Sequence, residues 1–304
     1  MARKPRIALL VATAALAAIF GAGLFTQRAA ASQLIDRNAT DIQLAVNNKQ
    51  EALITYRVHG VLKHVLAWHA INAIAPTLGR SQVAFKLDYA GGWGKYRTNY
   101  WKTFVNGCKP YTGPALAWKV TACTAPDGSY WALQAWQRDL PDLGKTPTAA
   151  QAAWELRLSH WSGPLPVLSI QVNWAYKHFD HLFGTLTYDG TGVYGFRSTS
   201  GGAPLDSFGR NIYVDTFDSA YGSGWKRENS FLAHKSNGAF CYGFYPHGSS
   251  PAGTGTNYRA TVEGPGVTPD VMWTGAAPGP YNAAEQATAD DSIRALGDSQ
   301  CKPV

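Results

Sequence analysis

Asn211-Ile-Tyr-Val-Asp-Thr-Phe-Asp218, with Gly222-Ser-Gly-Trp-Lys-Arg-Glu228 just behind it, is the most interesting constellation of chemically capable side chains in the sequence. On a β-strand Tyr213, Asp215 and Phe217 share one face, while Ile212, Val214 and Thr216 take the other. Asp215, Asp218 and Glu228 could supply the acid and base of glycosidic hydrolysis, which needs two carboxyl groups several ångströms apart. The loop Tyr221-Gly-Ser-Gly-Trp225 could set an aromatic platform against a sugar. A plainer reading is favoured: Arg210, Lys226 and Arg227 pair with these carboxylates at one end of a sandwich, and catalysis is absent.

A second cluster is His178-Phe-Asp-His181. On one helical turn its two imidazoles would face the same way and could ligate a metal with a distant carboxylate. The favoured reading is a polar connection between strands with solvated histidines, so no metal or other cofactor is expected. His59, His64 and His69 recur every five residues, which alternates faces on a strand and builds no ligand set. Gly190-Thr-Gly-Val-Tyr-Gly195 matches the dinucleotide glycine pattern, yet strand-like segments flank it on both sides and Asp189-Gly190 signals a hairpin. No GxSxG, HExxH or phosphate loop occurs.

Tryptophan is abundant, and it serves both cores and carbohydrate sites. Trp118, Trp131 and Trp136 lie in β-like runs and are expected in the core, whereas Trp93 and Trp225 are flanked by glycine and expected to be exposed. Trp93, Tyr213 and Trp225 are therefore the aromatic side chains expected to meet a ligand.

Residues 1–31 combine a basic start, an apolar run and Ala29-Ala-Ala31, the three parts of an export signal, with cleavage expected between Ala31 and Ser32. The apolar run is also long enough for an uncleaved membrane anchor, the alternative. Cleavage removes Arg3, Lys4, Arg6 and Arg28 from the 27 basic residues, leaving 23 against 20 acids. The remaining surplus of +3 carries no basic patch of the kind nucleic acid requires. Outside the cytoplasm the four cysteines read as two bridges, with Cys108–Cys123 and Cys241–Cys301 the most local pairing. No close cysteine spacing suggests a metal.

Low charge and abundant Gly, Trp and Tyr suit an all-β body. Residues 32–38 read as a leader. Runs at 42–46, 52–58 and 61–68, the last two joined by His59-Gly60, form a meander, and 83–89 alternates with period two. A hairpin is expected from 115–121 to 130–136 through Ala125-Pro-Asp-Gly128. Residues 140–148 make the best linker, after which Trp154, Leu156 and Leu158 alternate with Glu155, Arg157 and Ser159 as a strand. Short strands follow at 165–172, 182–188, 193–196, 211–216, 230–233, 239–244 and 258–262. An Ala-rich helix over 282–296 is closed by Gly297.

Gly184-Thr-Leu-Thr-Tyr-Asp-Gly190, Val193-Tyr-Gly195, Asn237-Gly-Ala-Phe240 and Gly255-Thr-Asn-Tyr-Arg-Ala260 occur in that order. This resembles the carboxypeptidase-regulatory-like, transthyretin-like β-sandwich repeats over residues 182–263, with insertions at 198–210 and 246–256. The resemblance implies a sandwich and no activity. The whole chain also resembles uncharacterised secreted proteins of high-GC Gram-positive bacteria.

The sequence thus predicts an all-β protein of two packed antiparallel β units, the second an immunoglobulin- or transthyretin-like sandwich, with a short C-terminal helix. Its parts are a signal (1–31), a β-meander domain (32–145), a linker or connecting strand (146–164), a sandwich (165–275) and a helical tail (276–304). The expected role is a secreted, non-catalytic binding or structural protein of the cell envelope. Its expected partner is cell-wall polysaccharide or another extracellular protein, not nucleic acid, and the membrane only if the signal is retained. The alternative is a secreted, glycosidase-like hydrolase using the carboxylates near 215–228.

Overall fold

The structure, a computed structural model, describes residues 32–71, 83–193, 212–231, 237–244 and 255–304. The expected signal at 1–31, Arg210, the 198–210 insertion, most of the 246–256 insertion and residues 232–233 lie outside the described residues.

Along the first half run β1 (Gln33–Arg37), β2 (Thr40–Val46), β3 (Glu51–Val58), β4 (Val61–His69) and β5 (Phe85–Asp88). A one-turn helix α1 (Trp93–Tyr96) precedes β6 (Lys109–Pro110), β7 (Lys119–Thr124), β8 (Tyr130–Trp136) and β9 (Glu155–Trp161). The second half adds β10 (Val167–Ala175), β11 (Phe179–Tyr188), β12 (Thr191–Gly192), β13 (Ile212–Ser219), β14 (Gly222–Phe231), β15 (Ala239–Phe244), β16 (Asn257–Val262) and β17 (Val271–Ala276). Helix α2 (Ala283–Ala295) closes the chain. Among the described residues every strand pairing is antiparallel.

Local sequence accounts for the turns. His59 and Gly60 take φ of 50° and 78°, and Asp189 and Gly190 take 49° and 70°. These are the paired positive angles of a tight hairpin whose twist matches its strands. The glycine pattern at 190–195 is therefore entered through the β11–β12 hairpin, with strand on both sides of Asp189-Gly190. Asn282 caps α2 by accepting from the backbone N–H of Ala284 and Glu285, and Gly297 follows at φ 65°.

The described strands form four sheets stacked in series. The first, β2-β3-β4-β5, packs on the second, β1-β9-β8-β7-β6, around Ile54, Tyr56, Val65, Phe85, Trp131, Leu133, Leu156 and Leu158. The third is β14-β13-β16-β17, and the fourth is β10-β11-β12 with β15 on β11. Ile212, Val214, Tyr258, Ala260 and Val262 of the third meet Leu182, Leu186 and Phe240 of the fourth. On the far side of the fourth sheet Phe183 packs with Ile293 of α2. The chain is thus two sandwiches joined through their second and third sheets.

Two expectations change here. Residues 32–38 are not a free leader: β1 pairs with β9 and Ser32 is wholly buried. The hairpin strand expected from 115 starts only at Lys119, because Trp118 sits at φ 54° and breaks the extended run.

Candidate functional site

The junction between the two sandwiches is polar and buried. Period two turns Leu156 and Leu158 of β9 into the first core, so Glu155, Arg157 and Ser159 face the other way. All three are nevertheless enclosed, with Ser32, Arg138 and the 263–270 segment packed against Glu155 and Arg157. Arg157 lies 2.6 Å from Glu155 and 3.4 Å from Glu263, and Arg138 pairs with both carboxylates. Burial works against ionisation of Glu155, but Arg157, Arg138 and Arg37 hold its carboxyl below the usual range. Burial pushes Glu263 and Asp270 up against the pull of Arg138 and Arg157.

Residues 263–270 form an arm from the second sandwich into the first. Val267 enters the first core, and its carbonyl accepts from the backbone N–H of His160 at 3.1 Å. The Gln134 side chain donates to the Asp270 carbonyl and accepts from the Asp270 N–H, both at 2.9 Å, while Trp136 Nε1 donates to Asp270 Oδ2 at 2.8 Å. The 140–148 segment also packs across the junction, with Leu143 N–H donating to the Arg227 carbonyl at 3.0 Å.

At the rim of this junction opens a cleft of about 240 Å³ lined by Trp118, Trp136, Leu140, Trp154, Trp225 and Arg259 above Asp215 and Arg227. Trp154 is 46% exposed, Trp118 and Trp225 are half-buried, and Trp136 closes the base. Trp118 and Trp154 meet edge to face at 6.4 Å. The Arg259 guanidinium lies between two indoles, 4.8 Å from the Trp118 centroid and 4.4 Å from that of Trp225. Both cation–π contacts fix it as part of the wall.

Asp215 does lie on the Tyr213 face of β13, as the sequence predicts, but it has no freedom to act as acid or base. Arg227 Nε donates to Oδ1 at 2.6 Å, and Arg259 donates to Oδ2 from Nη2 at 2.6 Å and Nε at 3.0 Å. Asp218 is a turn former at φ 51°, its Oδ1 accepting from Gly224 N–H at 2.7 Å. Glu228 is fully buried with no hydrogen bond to either carboxylate oxygen among the described residues. Burial, reinforced by nearby Asp142, pushes its carboxyl up to about 8.

The three expected ligand aromatics do not converge. Trp225 lines the cleft and Trp93 is 49% exposed on α1 of the first sandwich, but Tyr213 is wholly buried. Tyr213 supports the cleft from below, packing edge to face on Trp136 at 5.4 Å with the Arg227 guanidinium 4.8 Å above its ring. Trp131 and Trp136 are core residues as expected, whereas Trp118 belongs to the cleft. The missed residues, Trp118, Trp154 and Arg259, are separated in sequence and carry no local motif; Trp154 just before a strand was the one available signal.

His178 and His181 do not share a helical turn. His178 ends the β10–β11 hairpin, and His181 is buried on β11 with Nδ1 hydrogen-bonded to Asn173 Oδ1 at 2.9 Å. Donor atoms of His181, Cys241 and Cys301 instead lie within 4.8 Å of one another. Cys108 and Cys123 are bonded as expected; Cys241 and Cys301 meet as expected but stand as two thiols. A Ser–His contact also occurs, Ser129 Oγ to His160 Nε2 at 3.0 Å. Both residues are buried, Nδ1 is held by the His69 carbonyl, and Asp127 contacts the serine instead of the imidazole, so no nucleophilic triad forms.

No family model, curated protein or solved structure matches this chain.

Proposed function

We propose that this chain is a secreted, non-catalytic binding protein of the cell envelope, and that its ligand is a glycan taken into the cleft between the sandwiches. The observation carrying this reading is the cleft itself, with Trp118, Trp154 and Trp225 around Arg259 and with Asp215 already engaged by two guanidinium groups. Indole faces bind the apolar side of a sugar ring while leaving the rim polar. Two arginines against one aspartate leave the cleft one positive charge in surplus, which favours acidic over neutral sugars. The Ala29-Ala-Ala31 boundary and the Cys108–Cys123 bridge support an exported location.

Retention of the mature protein on isolated cell wall, followed by titration of soluble wall fragments against tryptophan fluorescence, tests the reading. Trp154→Ala with Trp225→Ala is expected to weaken binding about tenfold or more. Wild-type affinity in that variant, or no retention at all, refutes a glycan role for the cleft.

The hydrolase alternative rests on Glu228, whose carboxyl is pushed up by burial to about 8, the direction a general acid needs. Asp215 in its double ion pair is the counterweight. Release of reducing ends from the bound glycan, abolished by Glu228→Gln, would replace the binding reading with the catalytic one.

A further inference from the structure

Ser32 occupies an unusual place for a residue at the edge of a targeting segment. It is 0% exposed and lies at the centre of the junction. Its Oγ donates to Asp270 at 3.0 Å and accepts from Arg157 Nε at 2.8 Å, and its carbonyl accepts from Arg157 Nη2 at 3.0 Å. The Ser32 backbone nitrogen is three covalent bonds from that hydroxyl, so it lies within about 4 Å of it.

The buried part of this cluster is short of positive charge. Glu155, Glu263 and Asp270 are buried here with only Arg138 and Arg157 wholly or mostly buried among them. Arg37 reaches Glu155 from a half-exposed position. Arg138 and Arg157 stand near Glu263 as ion partners, yet no donor among the described residues directs a hydrogen bond at either of its oxygens. A buried carboxylate left so is costly.

We propose that cleavage between Ala31 and Ser32 creates an α-ammonium group that enters this acidic junction as its missing cation and locks the two sandwiches together. Hydrolysis of that one peptide bond adds water across it, leaving a carboxylate on Ala31 and the amine on Ser32, which takes up a proton. The proposal rests on reading residues 1–31 as a cleaved signal. It goes beyond that reading by making cleavage a maturation step of the folded body. The groups gathered around Ser32 and its partners are Arg37 of β1, Glu155 and Arg157 of β9, Gln134 and Trp136 of β8, Arg138 after β8, and Glu263 and Asp270 of the arm.

The test uses the whole mature chain released from an N-terminal fusion so that Ser32 comes first, beside the same chain retaining Ala30 and Ala31. Urea unfolding at neutral pH is expected to give the Ser32-first chain a folding constant at least about tenfold larger, with most of that gain gone in Asp270→Asn or Glu263→Gln. The sign follows from an amine whose folded pKa is raised. Its contribution is full below the unfolded α-amino value of about 8 and is lost as pH rises through the folded value. The gain should therefore vanish in strong alkali. Equal folding constants for the two chains, or a difference indifferent to pH, overturn the ionic role. N-terminal sequencing of the exported protein separately checks the cut, and any first residue other than Ser32 overturns the cleavage reading beneath the proposal.

Discussion

Glu228 offers a prediction whose size follows from its surroundings. Its carboxyl is enclosed on β14 with neither oxygen hydrogen-bonded among the described residues, and burial followed by the charge of Asp142 lifts it from 4.5 to about 8. The unfolded chain releases this proton near the ordinary value while the folded chain keeps it. Stability owed to this group is therefore whole below about pH 4.5 and is lost as pH rises towards about 8, at roughly 1.4 kcal/mol per pH unit. Between about pH 5.5 and about pH 7.5 the unfolded carboxyl is ionised throughout while the folded one stays mostly protonated, and this difference held over about two pH units is a loss of about 2.5 kcal/mol. Glu228→Gln keeps the shape and removes the proton. Urea unfolding at both pH values should therefore show the variant losing about 2.5 kcal/mol less than the parent over that interval. Asp142→Asn should remove only the smaller part of the effect, since burial ranks first among its causes. Parallel pH dependence in parent and Glu228→Gln would refute the assignment and place Glu228 in contact with water.

Other consequences are as readily measured. Arg157→Ala strips Glu155, Glu263 and Asp270 of a shared cation and is expected to cost about 3–5 kcal/mol in urea unfolding, whereas a surface Arg57→Ala should cost less than about 1 kcal/mol. Gly184→Ala places a Cβ 1.9 Å from the Ser169 carbonyl oxygen between paired β10 and β11, so it should lower stability by about 3 kcal/mol or more or prevent folding, as read by circular dichroism. Cys241 and Cys301 should close under oxidising conditions, and intact-mass measurement should show the loss of hydrogens from two bridges. Cys301→Ser should then cost up to about 4 kcal/mol.

Turn chemistry was the most readable layer of the sequence, because it depends on one or two residues. His59-Gly60, Asp189-Gly190 and the Asn282 cap each act where they stand. Alternation at 154–159 likewise marks a strand. It cannot reveal that the polar side of that strand is covered, because the cover comes from residues more than a hundred positions away on either side, Ser32 before it and Glu263 and Asp270 after it. The same limit applies to the cleft. Tyr213 and Trp225 are close in sequence but lie on opposite sides of the floor of the site, while Trp118, Trp154 and Arg259 meet from three separate segments. Pairing of Asp215 with Arg227, the favoured reading, was legible because the two lie twelve positions apart across one hairpin. Only the fold brings Arg259 to its second oxygen.

The 263–270 arm also sets the order in which the molecule can be finished. Val267 belongs to the core of the first sandwich, and the bond from Ser32 to Asp270 spans 238 positions. A ribosome or a translocation pore delivers the chain from its N-terminus. The first sandwich, nominally complete after β9, must therefore wait with an open edge until more than a hundred further residues have emerged. Such distant closure slows folding and leaves an exposed β surface in the interval. Fragments ending near residue 165 should accordingly stay partly open, while the full chain closes both halves in a single cooperative event.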